Sequence, residues 1–159
     1  MARRVFFSFD YDDVWRAANV RNAHVVDGRA RAGFHDRSLW EAARRKSDSA
    51  IARMIDEALK GTSVTVVLIG ARTSASRWVR YEIEASVLRG NGLLGVYIDG
   101  LADAHRRKGR RGRPPAKLVA AKAPCYVYDR RRFGDWVERA ALRAGHRELR
   151  KPSSSWWSW

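Results

Sequence analysis

Trp78 and Glu82 stand four residues apart in the stretch TSASRWVRYEIEAS, a spacing that stacks two side chains on one helix face. An indole over a carboxylate keeps water away and holds the acid ready for donors such as the hydroxyls of a sugar. The same spacing fits a core Trp beside a solvated or Arg-paired Glu, the common arrangement for a helical glutamate. A second cluster, Phe9, Asp10, Tyr11, Asp12 and Asp13, follows the first apolar run. Acids there suit the metal site of a phosphorelay receiver, but that chemistry also needs a phosphate-accepting Asp after a later strand. Here that strand ends Leu68, Ile69, Gly70. Asp12 and Asp13 therefore read as first-turn acids favoured by the helix dipole, and Asp10 as either a ligand for a sugar or base or an N-cap. The four histidines fall at no metal-ligand spacing, no glycine-rich phosphate loop is present, and Cys125 in CYVY reads as a buried, inert thiol.

These residues must be placed by the surrounding elements. Arg4 to Phe9 (RVFFSF) predicts a buried first strand, and Val14 to Asn22 a short helix with Trp15 inward. Ala23 to Leu39 has no clean period; a short strand near His24 to Asp27 and then a loop around Gly28 and Gly33 are expected. Asp48 to Leu59 repeats Ile51, Ile55 and Leu59 at four-residue spacing and closes at Gly61, an amphipathic helix. Ser63 to Ile69 (SVTVVLI) is a β-branched strand. Thr73, Ser74 and Ser76 offer N-caps for a helix with a Val79, Ile83, Val87 core stripe, ending at Gly90, with Trp78 and Glu82 beside the stripe. Leu93 to Ile98 and Cys125 to Tyr128 predict two more strands, and Phe133 to Ala144 a last helix. Short apolar strands alternating with helices imply an α/β fold with a parallel sheet covered on both faces. Ligands then gather beyond the carboxyl ends of the strands, where the turn after Phe9, the loop around Gly33 and the loop from Gly70 to Ser76 should meet.

Composition bounds the rest. The 159 residues carry 32 Lys and Arg against 17 Asp and Glu, a net charge of +15, in a length that fits one domain. The hydrophobic share of 45% excludes a disordered basic tail. One cysteine excludes a disulfide framework and fits a reducing compartment. No apolar run approaches the roughly 18 residues of a membrane span, and the start is too short in apolar residues for a signal peptide; a cytoplasmic protein with no membrane partner is expected. The charge is uneven: residues 1–103 hold 16 bases and 13 acids, residues 104–159 hold 16 bases and 4 acids. Within the latter, HRRKGRRGRPP (105–115) has the composition of an exposed, mobile connection. It has no interleaved aromatics, so a solvated loop is preferred over a nucleic-acid contact.

RRVFFSFDYDD, AGFHDRS and VTVVLIGARTSASRWVRYEIEAS, in that order and spacing, resemble the TIR-like family that includes the B subunit of the Thoeris anti-phage system, from about Arg4 to Asp99. The resemblance implies a flavodoxin-like, three-layer TIR fold with a mostly parallel central sheet; with the composition it gives one domain expected over 1–149, in which about 105–115 is a basic loop insertion, and a Ser/Trp-rich tail over 150–159. It implies cleavage of NAD at the nicotinamide-ribose bond, with NAD as substrate, no further cofactor and no metal. Glu82 would be catalytic, with Trp78 its companion. Phe7, Ser8, Phe9 and Asp10 would contribute to the substrate pocket, as would Gly33 and Phe34 from a lid-like loop. Phe9 stands where the family usually has a tyrosine, and Phe34 follows Gly33 without the usual spacer. The implied product is a cyclic ADP-ribose isomer that signals to a separate effector protein, with self-assembly or a phage component as trigger. The competing readings are a non-catalytic TIR-like interaction module and a basic nucleic-acid-associated protein.

Overall fold

The computed structural model describes residues 3–24 and 43–149. Four strands, β1 (Val5–Ser8), β2 (Val64–Ile69), β3 (Gly92–Tyr97) and β4 (Cys125–Val127), form one sheet in the order β1-β2-β3-β4. Every pairing is parallel, so all four carboxyl ends lie on one edge. The helices among the described residues are α1 (Val14–His24), α2 (Asp48–Leu59), α3 (Arg77–Arg89), α4 (Ala116–Ala120) and α5 (Phe133–Leu149).

Side-chain alternation along the strands divides the core in two. Val64, Val66 and Leu68 of β2 join Phe7, Leu94 and Val96 in a cluster with Val20 of α1 and Trp136 and Val137 of α5. Val67, Ile69 and Leu93 face the other way, against Val79 and Ile83 of α3 and Leu118 of α4. All residues of β1 and β2 are buried, which is why these strands read as continuous apolar runs rather than alternating ones. The helices α2 and α3 begin where the hydroxyls of Ser47 and Ser76 accept from the N–H groups of Ala50 and Val79. Gly90, at φ +78°, ends α3 in the left-handed conformation that glycine adopts freely.

Apart from the strand expected near His24 to Asp27, the expected elements from β1 through β4 are present, with corrections to their faces and connections. Trp15 is 52% exposed, and α1 buries Val14, Arg16, Ala17 and Val20 instead, because the helix turns its 14, 17, 20 row inward. His24 ends α1 rather than opening a strand, and the rest of the proposed strand at 25–27 lies outside the described residues. Val87 is 51% exposed; the buried face of α3 is Val79, Glu82, Ile83 and Ser86, so the glutamate lies within the core stripe. The proline pair 114–115 also introduces α4, a short helix that composition did not mark.

A further correction concerns the basic segment, which is docked rather than loose. Ala102 and Lys108 form an antiparallel bridge, and Asp103 Oδ1 accepts from the N–H groups of His105 at 2.8 Å and Arg107 at 2.9 Å. The Gly109 N–H donates to the Asp99 carbonyl at 2.8 Å. Arg16 reaches across from α1, donating to the carbonyls of Leu101 at 2.9 Å and Arg107 at 3.0 Å. Gly112 lies so close to the end of β2 that a Cβ there would stand 1.9 Å from the Gly70 carbonyl oxygen. The restraints are mostly backbone atoms and one distant arginine, so a count of charges could not reveal them.

Candidate active site

Ser8 is the last residue of β1, and its register partner is Val67, which belongs to the face covered by α3. The Ser8 side chain therefore points under α3, where its hydroxyl donates to Oε2 of Glu82. Ser8 is fully buried and Glu82 is 3% exposed. Burial in this apolar layer disfavours the charged carboxylate and pushes the Glu82 pKa up to about 8, with the Ser8 hydrogen bond pulling the other way. Glu82 is thus predominantly a neutral acid at neutral pH, held by the Ser8 hydroxyl at the carboxyl end of the sheet.

The acid belongs to a row of polar groups beneath α3. Ser86, one helical turn on, donates to the Glu82 carbonyl at 2.7 Å, and its hydroxyl lies 2.7 Å from that of Thr65 on β2. Asn91 Nδ2 donates to Thr62 Oγ1 at 2.9 Å and to Thr65 Oγ1 at 3.3 Å. Such groups are stable when buried only if partnered, and here each hydroxyl serves the next. They fix the rotation of α3 and so the reach of Glu82. Sequence reasoning did not single out Ser86, Thr65 or Asn91. Their signal was polar residues in otherwise apolar runs, with Glu82 and Ser86 four apart.

The other expected site residues separate into groups. Trp78 is half-buried, edge-on to Tyr81 at 5.8 Å, with the Arg77 guanidinium 4.9 Å from its ring centroid. It lies four residues before Glu82 on α3, at the same end of the sheet. Asp10 accepts from the Asp12 N–H at 3.0 Å and caps the short turn Tyr11–Asp13 before α1, so its cap role is realised. Phe7 stacks on Phe133 at 6.1 Å and Phe9 is buried in the same cluster. Phe7 therefore packs in the core layer opposite Ser8 and Glu82, and the structure does not bring the two sets together. Gly33 and Phe34 lie outside the described residues.

Beside this site, Asp13 and Arg16 form a buried ion pair at 3.0 Å. Burial raises the Asp13 pKa and the Arg16 guanidinium opposes that shift. The pair joins the turn after β1 to the segment after β3 and was not foreseen. Cys125 is half-buried, and burial pushes its thiol pKa up, the opposite of what a nucleophile needs.

The family model for the Thoeris protein ThsB, TIR-like domain, matches residues 6–103. The chain belongs to this TIR-like family. The matched span runs from β1 through α3 and β3, and so contains both Ser8 and Glu82, while the docked basic segment lies almost wholly beyond it. A relative from Bacillus cereus (strain MSX-D12), named "Putative cyclic ADP-D-ribose synthase ThsB1", is 48% identical over 108 residues, covering 66% of this chain. The chain spans 56% of that relative's length. The four-stranded parallel sheet with helices on both faces is the α/β architecture expected of a TIR-like, flavodoxin-like domain. No helix among the described residues is long and apolar enough to cross a membrane.

Proposed function

We propose that this chain cleaves NAD at the nicotinamide-ribose bond and releases a cyclic ADP-ribose isomer as a signal to a separate effector. The observation that carries the reading is the Glu82 carboxyl, buried at the carboxyl end of a parallel sheet and hydrogen-bonded to Ser8. The family membership and the relative's name support the same reaction.

The chemistry follows from the charge on the substrate. The nicotinamide ring of NAD is cationic, and its approach favours ionisation of a nearby acid. Binding thus opposes the burial that keeps Glu82 neutral. As the bond from the anomeric carbon to the ring nitrogen breaks, its electron pair stays with nicotinamide, which leaves neutral without needing a general acid. Positive charge develops on the ribose, and the Glu82 carboxylate stabilises it while accepting hydrogen bonds from ribose hydroxyls. A paired carboxylate of the usual glycosidase kind is not required. Attack on the anomeric carbon by a nucleophile of the same ADP-ribose, with loss of one proton, closes the cyclic product; attack by water would give linear ADP-ribose. Trp78 is assigned to the substrate side of Glu82, and Asp10, Gly33 and Phe34 to the surrounding pocket. The protein is placed in the cytoplasm, where NAD and the effector would be available, with a phage component or self-assembly as trigger.

The test is to incubate the full chain with NAD and separate the products by chromatography and mass. Nicotinamide together with a species of the mass of ADP-ribose less one water is the expected pair. Nicotinamide with linear ADP-ribose alone would reject cyclisation, and intact NAD under every triggering condition would reject the enzyme reading.

A further inference from the structure

The basic segment stands at the edge of the sheet where the proposed chemistry occurs, although the family match ends at residue 103. Gly70, on which Gly112 rests, follows β2 and lies three residues past Val67, the register partner of Ser8. By strand spacing and rise, Gly70 is roughly 11 Å from Ser8. The Gly112 end of the segment thus rests beside Gly70, just past the carboxyl end of β2.

Its cations divide into two sets. Arg111 donates to Asp99 at 2.8 Å and lies 4.4 Å from the Tyr97 ring centroid, and Arg107 lies 3.9 Å from Asp103; these hold the segment down. Arg106, Lys108, Arg110 and Arg113 are exposed and have no acidic partner among the described residues. The backbone that carries them is fixed by the Asp103 turn, the Gly109 hydrogen bond and Arg16. Arg106 itself is held at φ +60°, a conformation disfavoured for a residue with a Cβ. A loop that only solvated its charges would have no need of this restraint. Four unpaired cations on a restrained backbone suit an anion that carries more than one charge, and Arg is suited to phosphate oxygens.

We propose that Arg106, Lys108, Arg110 and Arg113 form the subsite for the diphosphate bridge of the dinucleotide, holding it while Glu82 acts on the nicotinamide ribose. This assignment rests on the NAD-cleaving reading above. In NAD the diphosphate is separated from the scissile bond by one ribose, in keeping with a subsite next to the acid rather than upon it.

The experiment compares the full chain with a quadruple variant in which these four residues become Gln. A control variant has Arg53, Arg80, Arg89 and Arg139 changed to Gln, removing the same charge from other exposed positions. Calorimetry measures ADP-ribose binding to each, and to Glu82→Gln, while KM and kcat for NAD are followed by nicotinamide release. The quadruple variant is expected to lose tenfold or more in ADP-ribose affinity and to raise KM for NAD similarly, roughly the loss of one charge-assisted contact. The control variant should change neither by more than about twofold. ADP-ribose affinity and KM unchanged in the quadruple variant would overturn the subsite, as would an equal loss in the control. If the wild type binds ADP-ribose through these cations but cleaves no NAD, the catalytic reading fails and the subsite stands. If duplex DNA binds at physiological salt through the same four residues while ADP-ribose affinity is unaffected, the segment is a nucleic-acid contact and the proposal is wrong.

Discussion

At the scale of residues, the proposed chemistry depends on how one carboxyl is held. Burial raises the pKa of Glu82 to about 8 from its ordinary value near 4.5, so folding takes up a proton at this group wherever the pH lies between those values. Its contribution to stability is therefore full below about pH 4.5, declines as pH rises through the window to about 8, and is flat beyond it. Glu82→Gln keeps the shape without the ionisation. Its Tm is expected to exceed that of the wild type by a margin that grows from pH 5 to pH 8, and thermal scans of both proteins across that range check it. A margin independent of pH would mean that Glu82 is not held neutral. Ser8 opposes the raised pKa by its hydrogen bond. Ser8→Ala should therefore shift the rise of kcat/KM with pH for NAD to higher pH, while Ser8→Thr, which retains a hydroxyl, restores much of the wild-type profile. That pH profile separates positioning of the acid from general destabilisation, which would lower activity without moving it.

At the scale of elements, α3 carries Glu82 and the docked segment carries the proposed diphosphate subsite, and they differ in how legible they were. The start of α3 at Ser76 and its end at Gly90 follow from local capping chemistry, which any sequence exposes. Its rotation does not, because Glu82 and Ser86 are buried through bonds to Ser8 and Thr65 on other strands. A hydrophobic period alone assigns the inward face to Val87, which is half-exposed. The basic segment was less legible still, since Arg16, a residue on α1, and the backbone of Gly70 hold it. Two substitutions test that docking. Gly112→Ala places a methyl against the Gly70 carbonyl, and hydrogen exchange should show protection lost over about residues 99–113 with the sheet still protected. Arg16→Met leaves Asp13 buried without its cation, and by the usual cost of breaking a buried pair it should destabilise the fold by about 3–5 kcal/mol in denaturant unfolding. Protection unchanged in Gly112→Ala would show that the segment is not held by this contact.

For the whole molecule, the parallel sheet was legible because its strands are nearly pure apolar runs, and that topology brings all the carboxyl ends together. It follows that the turn after β1, the loop after β2 and the segment after β3 share one edge, although they are far apart in sequence. The site residues named from sequence had a mixed outcome for the same reason. Ser8 and Glu82 meet because one ends a strand and the other faces it from α3, whereas Phe7, adjacent to Ser8, must point to the opposite layer. The net charge of +15 first suggests a nucleic-acid partner, yet much of the excess falls in segments fixed around an edge already occupied by a buried acid. Its arrangement suits a small anion bound at that edge.

The most direct test of this account is the rate of nicotinamide release from NAD by the full chain, beside Glu82→Gln with its fold verified by Tm, from pH 6 to pH 9. Wild-type kcat/KM is expected to climb with pH toward about 8 and level above it, as Glu82 loses its proton. The Gln variant should fall to background throughout. A Gln variant that releases nicotinamide at the wild-type rate would contradict it.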